Sequence, residues 1–133
     1  MSAPKSPQTL GFIALRVTVA VLLIVHGVAR LSLGIVDDFG GFLDAVGFPL
    51  GVVIAWAITL TEIIGGVLFA AGRWAWIFAL YFAGQLVMGI ILVHGAEGWF
   101  VVGAGRNGVE YSVLLIVVLL VLAYVERMGT KAI

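Results

Sequence analysis

Four long apolar stretches, at residues 10–33, 49–71, 74–93 and 109–125, take up most of this 133-residue chain. The hydrocarbon core of a bilayer is about 30 Å thick, and about 20 apolar residues of helix cross it. Lipid offers the backbone no hydrogen bonds, so a spanning segment must satisfy its own, as a helix does. The sequence therefore predicts an all-α integral membrane protein, a bundle of four transmembrane helices forming one domain over residues 1–133. Hydrophobic residues make up 63% of the chain and charged residues 11%, against about 25% charged in ordinary soluble domains. Little of these 133 residues is left for a soluble catalytic domain.

Charge excludes further classes. The formal net charge is zero, which gives no electrostatic case for nucleic acid. Cysteine is absent, so disulfides, thiolate metal sites and a dithiol relay within this chain are ruled out. Lys5 gives a weak positive start, but the first apolar run continues past the usual signal length with no small-x-small site before His26. It reads as a retained helix rather than a cleaved leader. Four crossings put both termini on one side. That side and the Arg73 turn carry Lys5, Arg16, Arg73, Arg127 and Lys131, against Arg30 and Arg106 on the other. The positive-inside rule then predicts cytoplasmic termini.

Turn signals organise the rest. Ser6-Pro7 is a helix start. Residues 37–48 mix Asp37, Asp38 and Asp44 with Phe39, Phe42, Leu43 and Phe48, which predicts an interfacial segment at headgroup level with one short helix. Asn107-x-x-Glu110 has capping-box spacing before the fourth helix.

Intramembrane ionisable residues are expensive and usually face protein or pair with one another. His26 and Arg30 lie four apart on one helix face. Glu62 falls midway along the second stretch, His94 closes the third, and Arg106 and Glu110 open the fourth. With cytoplasmic termini, most of these groups converge on the outer half of the bundle. A carboxylate at bilayer depth costs about 2.5–3.5 kcal/mol even on insertion scales. Glu62 is thus either a proton-carrying or ligand-binding acid, or half of a buried pair with Arg30, Arg16 or another helix, with Thr59 and Thr61 as local partners. Gly65-Gly66 beside it favours close helix packing. His26 and His94 could ligate haem, but two histidines without spacing rank below hydrogen-bonding or proton-transfer roles. No metal site is expected. For Glu110 the cap is favoured over a direct role, and for Arg106 a surface role over anion binding. Gly103 and Gly105 are too isolated to form a nucleotide loop.

Several of these residues fall in a recognisable order: Leu15-Arg16, His26-Gly27 with Arg30, Gly47-Phe48-Pro49, Glu62 with Gly65-Gly66, Gly72-Arg73, His94 and Glu110. In this the chain resembles the DoxX family of small four-helix bacterial membrane proteins, with Arg30 where that family commonly has lysine. The resemblance implies a multi-pass protein of the bacterial inner membrane, associated with redox complexes such as thiosulfate:quinone oxidoreductases. In that reading a quinone or small sulfur compound binds the outer polar cluster. Glu62 and His94 handle protons, while His26, Arg30, Arg106 and Glu110 receive the substrate. The cofactor is left unidentified, with quinone ranking ahead of haem, and protein partners in a membrane complex are expected. The alternative is a non-catalytic subunit that anchors or stabilises a larger complex, its polar residues locking its own helices.

Overall fold

The computed structural model describes residues 5–103 and 106–131, except the side chains of Thr130 and Lys131. Gly105 and the Lys131 charge counted above lie outside the described residues. Every regular element among the described residues is helical. Four helices are long and apolar enough to cross a membrane: Pro7–Ser32, Gly51–Ala70, Ala75–Leu92 and Glu110–Gly129. The first three agree with the apolar runs to within a few residues. The fourth continues past residue 125 because Glu126 and Arg127 are good helix formers. Arg127 also rests its guanidinium 5.3 Å from the centre of the Trp76 ring.

The chain divides into two compact units, at Arg73 and Trp74. Unit one begins with α1, Pro7–Ser32, whose N-cap Ser6 accepts a hydrogen bond from the Thr9 amide. Gly34, at φ +67°, closes α1. The Gly34 amide donates to the Leu31 carbonyl and the Ile35 amide to the Arg30 carbonyl, a Schellman ending that favours glycine. The short helix expected within 37–48 is α2, Val36–Ala45. It packs antiparallel to α3, Gly51–Leu60. Gly40 lies against Val52, where any Cβ would meet the Val52 Cα at 2.5 Å. Asp44 accepts the Gly51 amide at 2.8 Å, capping α3 from seven residues upstream. A carboxylate there also complements the positive end of the helix.

The second crossing is not one uniform helix. A π-helical turn, Thr61–Gly65, separates α3 from α4, Gly66–Ala70. Just before and within it, Thr59 and Thr61 donate their hydroxyls to the Ala55 and Ala57 carbonyls at 2.8 and 2.7 Å. Such back-bonding loosens and bends a helix, and Gly65-Gly66 follows at once with low helix propensity. The buried positions still form one face at helical spacing: Gly51, Ala55, Thr59, Glu62, Gly65, Gly66 and Phe69.

Glycines bring α1 onto that face. A Cβ on Gly27 would lie 2.8 Å from Ile63 Cγ1 and 3.0 Å from the Thr59 carbonyl. A Cβ on Gly66 would lie 2.6 Å from Ile24. Small residues at such crossings let backbones approach and gain dispersion contact, which is what drives helix association in lipid. At the other end of α1, Arg16 Nε donates to the Ala70 carbonyl at 3.4 Å, and its guanidinium lies against Gly72.

Unit two is an antiparallel helix pair, α5 (Ala75–Leu92) and α6 (Glu110–Lys131). Ala75, Ala79 and Ala83 are buried on α5 at every fourth position, and Leu119, Leu122 and Ala123 are buried on α6. A 3-10 turn, His94–Glu97, follows α5 and leads into the connecting loop.

Candidate functional site

Unit one places the strongest polar cluster of the described residues inside its helix packing. Glu62 is 2% exposed. Arg30 Nη1 donates to Glu62 Oε2 at 2.8 Å and to Thr59 Oγ1 at 3.0 Å. The Arg30 guanidinium also lies over the Phe39 ring, 4.8 Å from its centre. One arginine is therefore held from α2, α3 and the π turn at once. Thr59 relays the contact, accepting from Arg30 while donating to the Ala55 carbonyl.

Of the pairing options open to Glu62 in the sequence, the structure takes Arg30. Thr59 serves it through that arginine, and Thr61 turns to its own backbone. The pair carries no net charge, which is how a membrane protein keeps two ionised groups away from water at tolerable cost. The remaining donors of Arg30, Nε and Nη2, have no acceptor among the described residues, and 17% of the side chain is exposed. A planar guanidinium with one edge fixed and the other free presents parallel N–H groups that suit a carbonyl or an oxyanion. The sequence could place Arg30 near Glu62 but not reveal that Nη1 alone makes both bonds.

His26 lies one turn before Arg30 on α1 and is exposed, with no hydrogen bond among the described residues. Its neighbour Gly27 carries the packing against Thr59 and Glu62.

The other candidates belong to unit two and organise its loop. His94 Nδ1 is 2.9 Å from the Asn107 carbonyl oxygen, so that nitrogen carries the proton and donates. Glu110 does not close the capping box that its spacing suggests. It is itself the first residue of α6, and its Oε1 accepts the Val101 and Val102 amides, both at 2.8 Å. Asn107 contributes its carbonyl to His94. Arg106 is exposed and pairs with neither Glu97 nor Glu110 among the described residues. Sequence reasoning missed the loop-holding work of Glu110 because it tested Glu110 only against its own helix start. The apolar run Trp99 to Val102, whose amides need an acceptor, was the available signal.

No curated protein and no solved structure is significantly similar to the chain. The DoxX family profile does match, over residues 11–95. That interval takes in α1 to α5 with His26, Arg30, Glu62 and His94, and stops before Arg106 and Glu110. Covering well over half of the chain, the match establishes that this four-span membrane protein belongs to the DoxX family.

Proposed function

We propose that this protein is a redox-associated membrane subunit and that unit one binds its small-molecule ligand at the Arg30–Glu62 pair. One observation carries the reading: a part-buried guanidinium is fixed by Glu62 and Thr59 at Nη1 and left open along its Nε–Nη2 edge. The open edge offers N–H donors to an oxygen acceptor, as found on a quinone or a sulfur oxyanion. Glu62 sits on the π turn and holds Nη1 on the occupied side of the guanidinium, and wide helical turns of this kind recur at functional sites. In this reading Arg30 holds the ligand oxygen, Glu62 exchanges a proton with it when the pair opens, and exposed His26 connects that proton to the outside. His94 and Glu110 shape the loop of unit two, and Arg106 is available beside it for an anion. Without cysteine, electrons must pass through the ligand, a bound cofactor or a partner subunit. The setting is the bacterial inner membrane with cytoplasmic termini.

The test uses the full chain in lipid nanodiscs, titrated separately with a short-chain benzoquinone and with thiosulfate while tryptophan fluorescence is followed. Saturable binding of either probe is expected, weakened at least tenfold in Arg30→Lys with melting temperature retained. Equal binding by the two proteins overturns the proposal, as does no binding to the wild type. The same pair also locks α1 to the second crossing, which favours an anchoring subunit as the competing role. That role predicts that Glu62→Gln lowers the amount of assembled complex but not the activity per complex.

A further inference from the structure

The loop between α5 and α6 carries features that neither helix pairing nor the Arg30–Glu62 site uses. Residues 98–103 contain no polar side chain and are bracketed by exposed Glu97 and Arg106. Trp99, Phe100 and Val102 are 52%, 53% and 62% exposed. In water such a segment would be a liability, because three large apolar groups in a row seldom stay uncovered.

Much of the backbone of the same segment, though not all of it, finds partners within the loop. The chain doubles back, so that the carbonyls of Gly98, Trp99 and Phe100 accept the amides of Val109, Glu110 and Gly108 at 3.0, 3.1 and 3.2 Å. Gly108 is needed for this closeness, since a Cβ there would lie 2.5 Å from the Trp99 carbonyl group. The Glu110 carboxylate then takes the two amides of Val101 and Val102. Non-helical backbone survives at membrane depth only when its polar groups find partners inside the protein. Here a single carboxylate supplies the acceptor that water would otherwise provide.

Exposed apolar residues also flank the loop on both helices. Ile91, at the end of α5, and Leu114, in the second turn of α6, are 66% and 58% exposed. Tryptophan and phenylalanine suit the boundary between headgroups and acyl chains, and Arg106 can reach headgroup phosphate from beside them.

We propose that residues 98–102 are a lipid-immersed anchor: the loop dips its Trp99, Phe100 and Val102 side chains into the acyl region of the leaflet, and Glu110 holds the backbone in the shape that permits it. The occupant of this apolar surface is the bilayer itself rather than a protein.

Because the chain has no cysteine, single-site labelling tests this directly. Val102→Cys in the full-length protein is spin-labelled and reconstituted in phosphatidylcholine–phosphatidylglycerol vesicles. Collisions are measured with oxygen, which concentrates in lipid, and with a neutral nickel chelate, which stays in water. Labels at Leu114→Cys on α6 and at Glu97→Cys serve as lipid and water references. The expected oxygen-to-nickel ratio at residue 102 lies close to that at residue 114. A ratio matching residue 97 overturns the proposal, and so does exclusion of both reagents, which would mean a protein covers the loop. Adding Glu110→Ala should move the ratio towards the water reference, whereas Glu110→Gln, which keeps an acceptor oxygen, should hold it. If Glu110→Ala leaves the ratio unchanged, Glu110 is not the anchor's support.

Discussion

Replacing Glu62 by Gln should cost far more stability than an amide-for-carboxylate exchange does at a surface. At 2.8 Å and an effective dielectric of about 20, the gross attraction of the pair is about 6 kcal/mol. Desolvating both ions offsets much of it, so the net value of the pair is far smaller. Removing one charge is different, because the other then stays desolvated without compensation, at a cost of about 3–5 kcal/mol. Arg30 is held by α2, α3 and the π turn, so it cannot easily swing out to relieve that cost. Arg30→Met should be similarly costly. The double variant Arg30→Met with Glu62→Gln removes both charges and should recover at least 2 kcal/mol of the summed losses, since buried pairs are often neutral to replace together. The assay is reversible unfolding in mixed micelles as the fraction of denaturing detergent rises, run on all four proteins. Single losses below about 1 kcal/mol, or losses additive within about 0.5 kcal/mol, would refute the argument that these two groups are coupled in a low-dielectric interior.

Gly27→Ala should destabilise unit one by about 1–3 kcal/mol, because its Cβ would fall 2.8 Å from Ile63 Cγ1 and 3.1 Å from Glu62 Cβ. Gly84→Ala, with open space around its Cβ, should be neutral or gain about 0.5–1 kcal/mol, and melting in micelles compares the two. Asp44→Ala should lose about 0.5–2 kcal/mol through the uncapped Gly51 amide, with Asp44→Asn keeping most of it in the same measurement. Gly108→Ala should push the Trp99 segment away and expose the loop backbone to faster hydrogen exchange, while amides in the middle of α6 stay unchanged.

How much of this was legible in the sequence depends on the kind of interaction. The four crossings follow from apolar length alone, and Gly72-Arg73 marks the end of the second because few residues other than glycine accept φ +78° cheaply. The Arg30–Glu62 pair was legible as one option among several, because two ionisable groups in apolar segments must find partners. The π turn was not, since Thr59, Thr61, Gly65 and Gly66 each admit an ordinary helix and only their sum loosens it. Glu110 shows the opposite failure. Its spacing to Asn107 fits a local motif, yet the carboxylate reaches eight and nine residues back, to the Val102 and Val101 amides. Sequence spacing identifies an acceptor's nearest helix start, but not the loop amides that the fold brings within its reach.

The two arginines of α1 suggest why the second crossing tolerates its irregular centre. Arg16 and Arg30 are fourteen residues apart, about 21 Å along the helix. One grips the Ala70 carbonyl at the end of α4, and the other grips Glu62 and Thr59 at the π turn. Between them, Gly27 and Gly66 remove the side chains that would hold the helices apart. The turn is thus clamped by groups outside its own hydrogen-bond ladder, which hold in place what Thr59, Thr61 and the glycine pair loosen locally. A carboxylate on such a turn keeps a fixed position while its backbone retains the slack of a wide helix. The proton-handling role proposed for Glu62 therefore requires the Arg30 contact to open while α1 stays packed through Gly27 and Gly66.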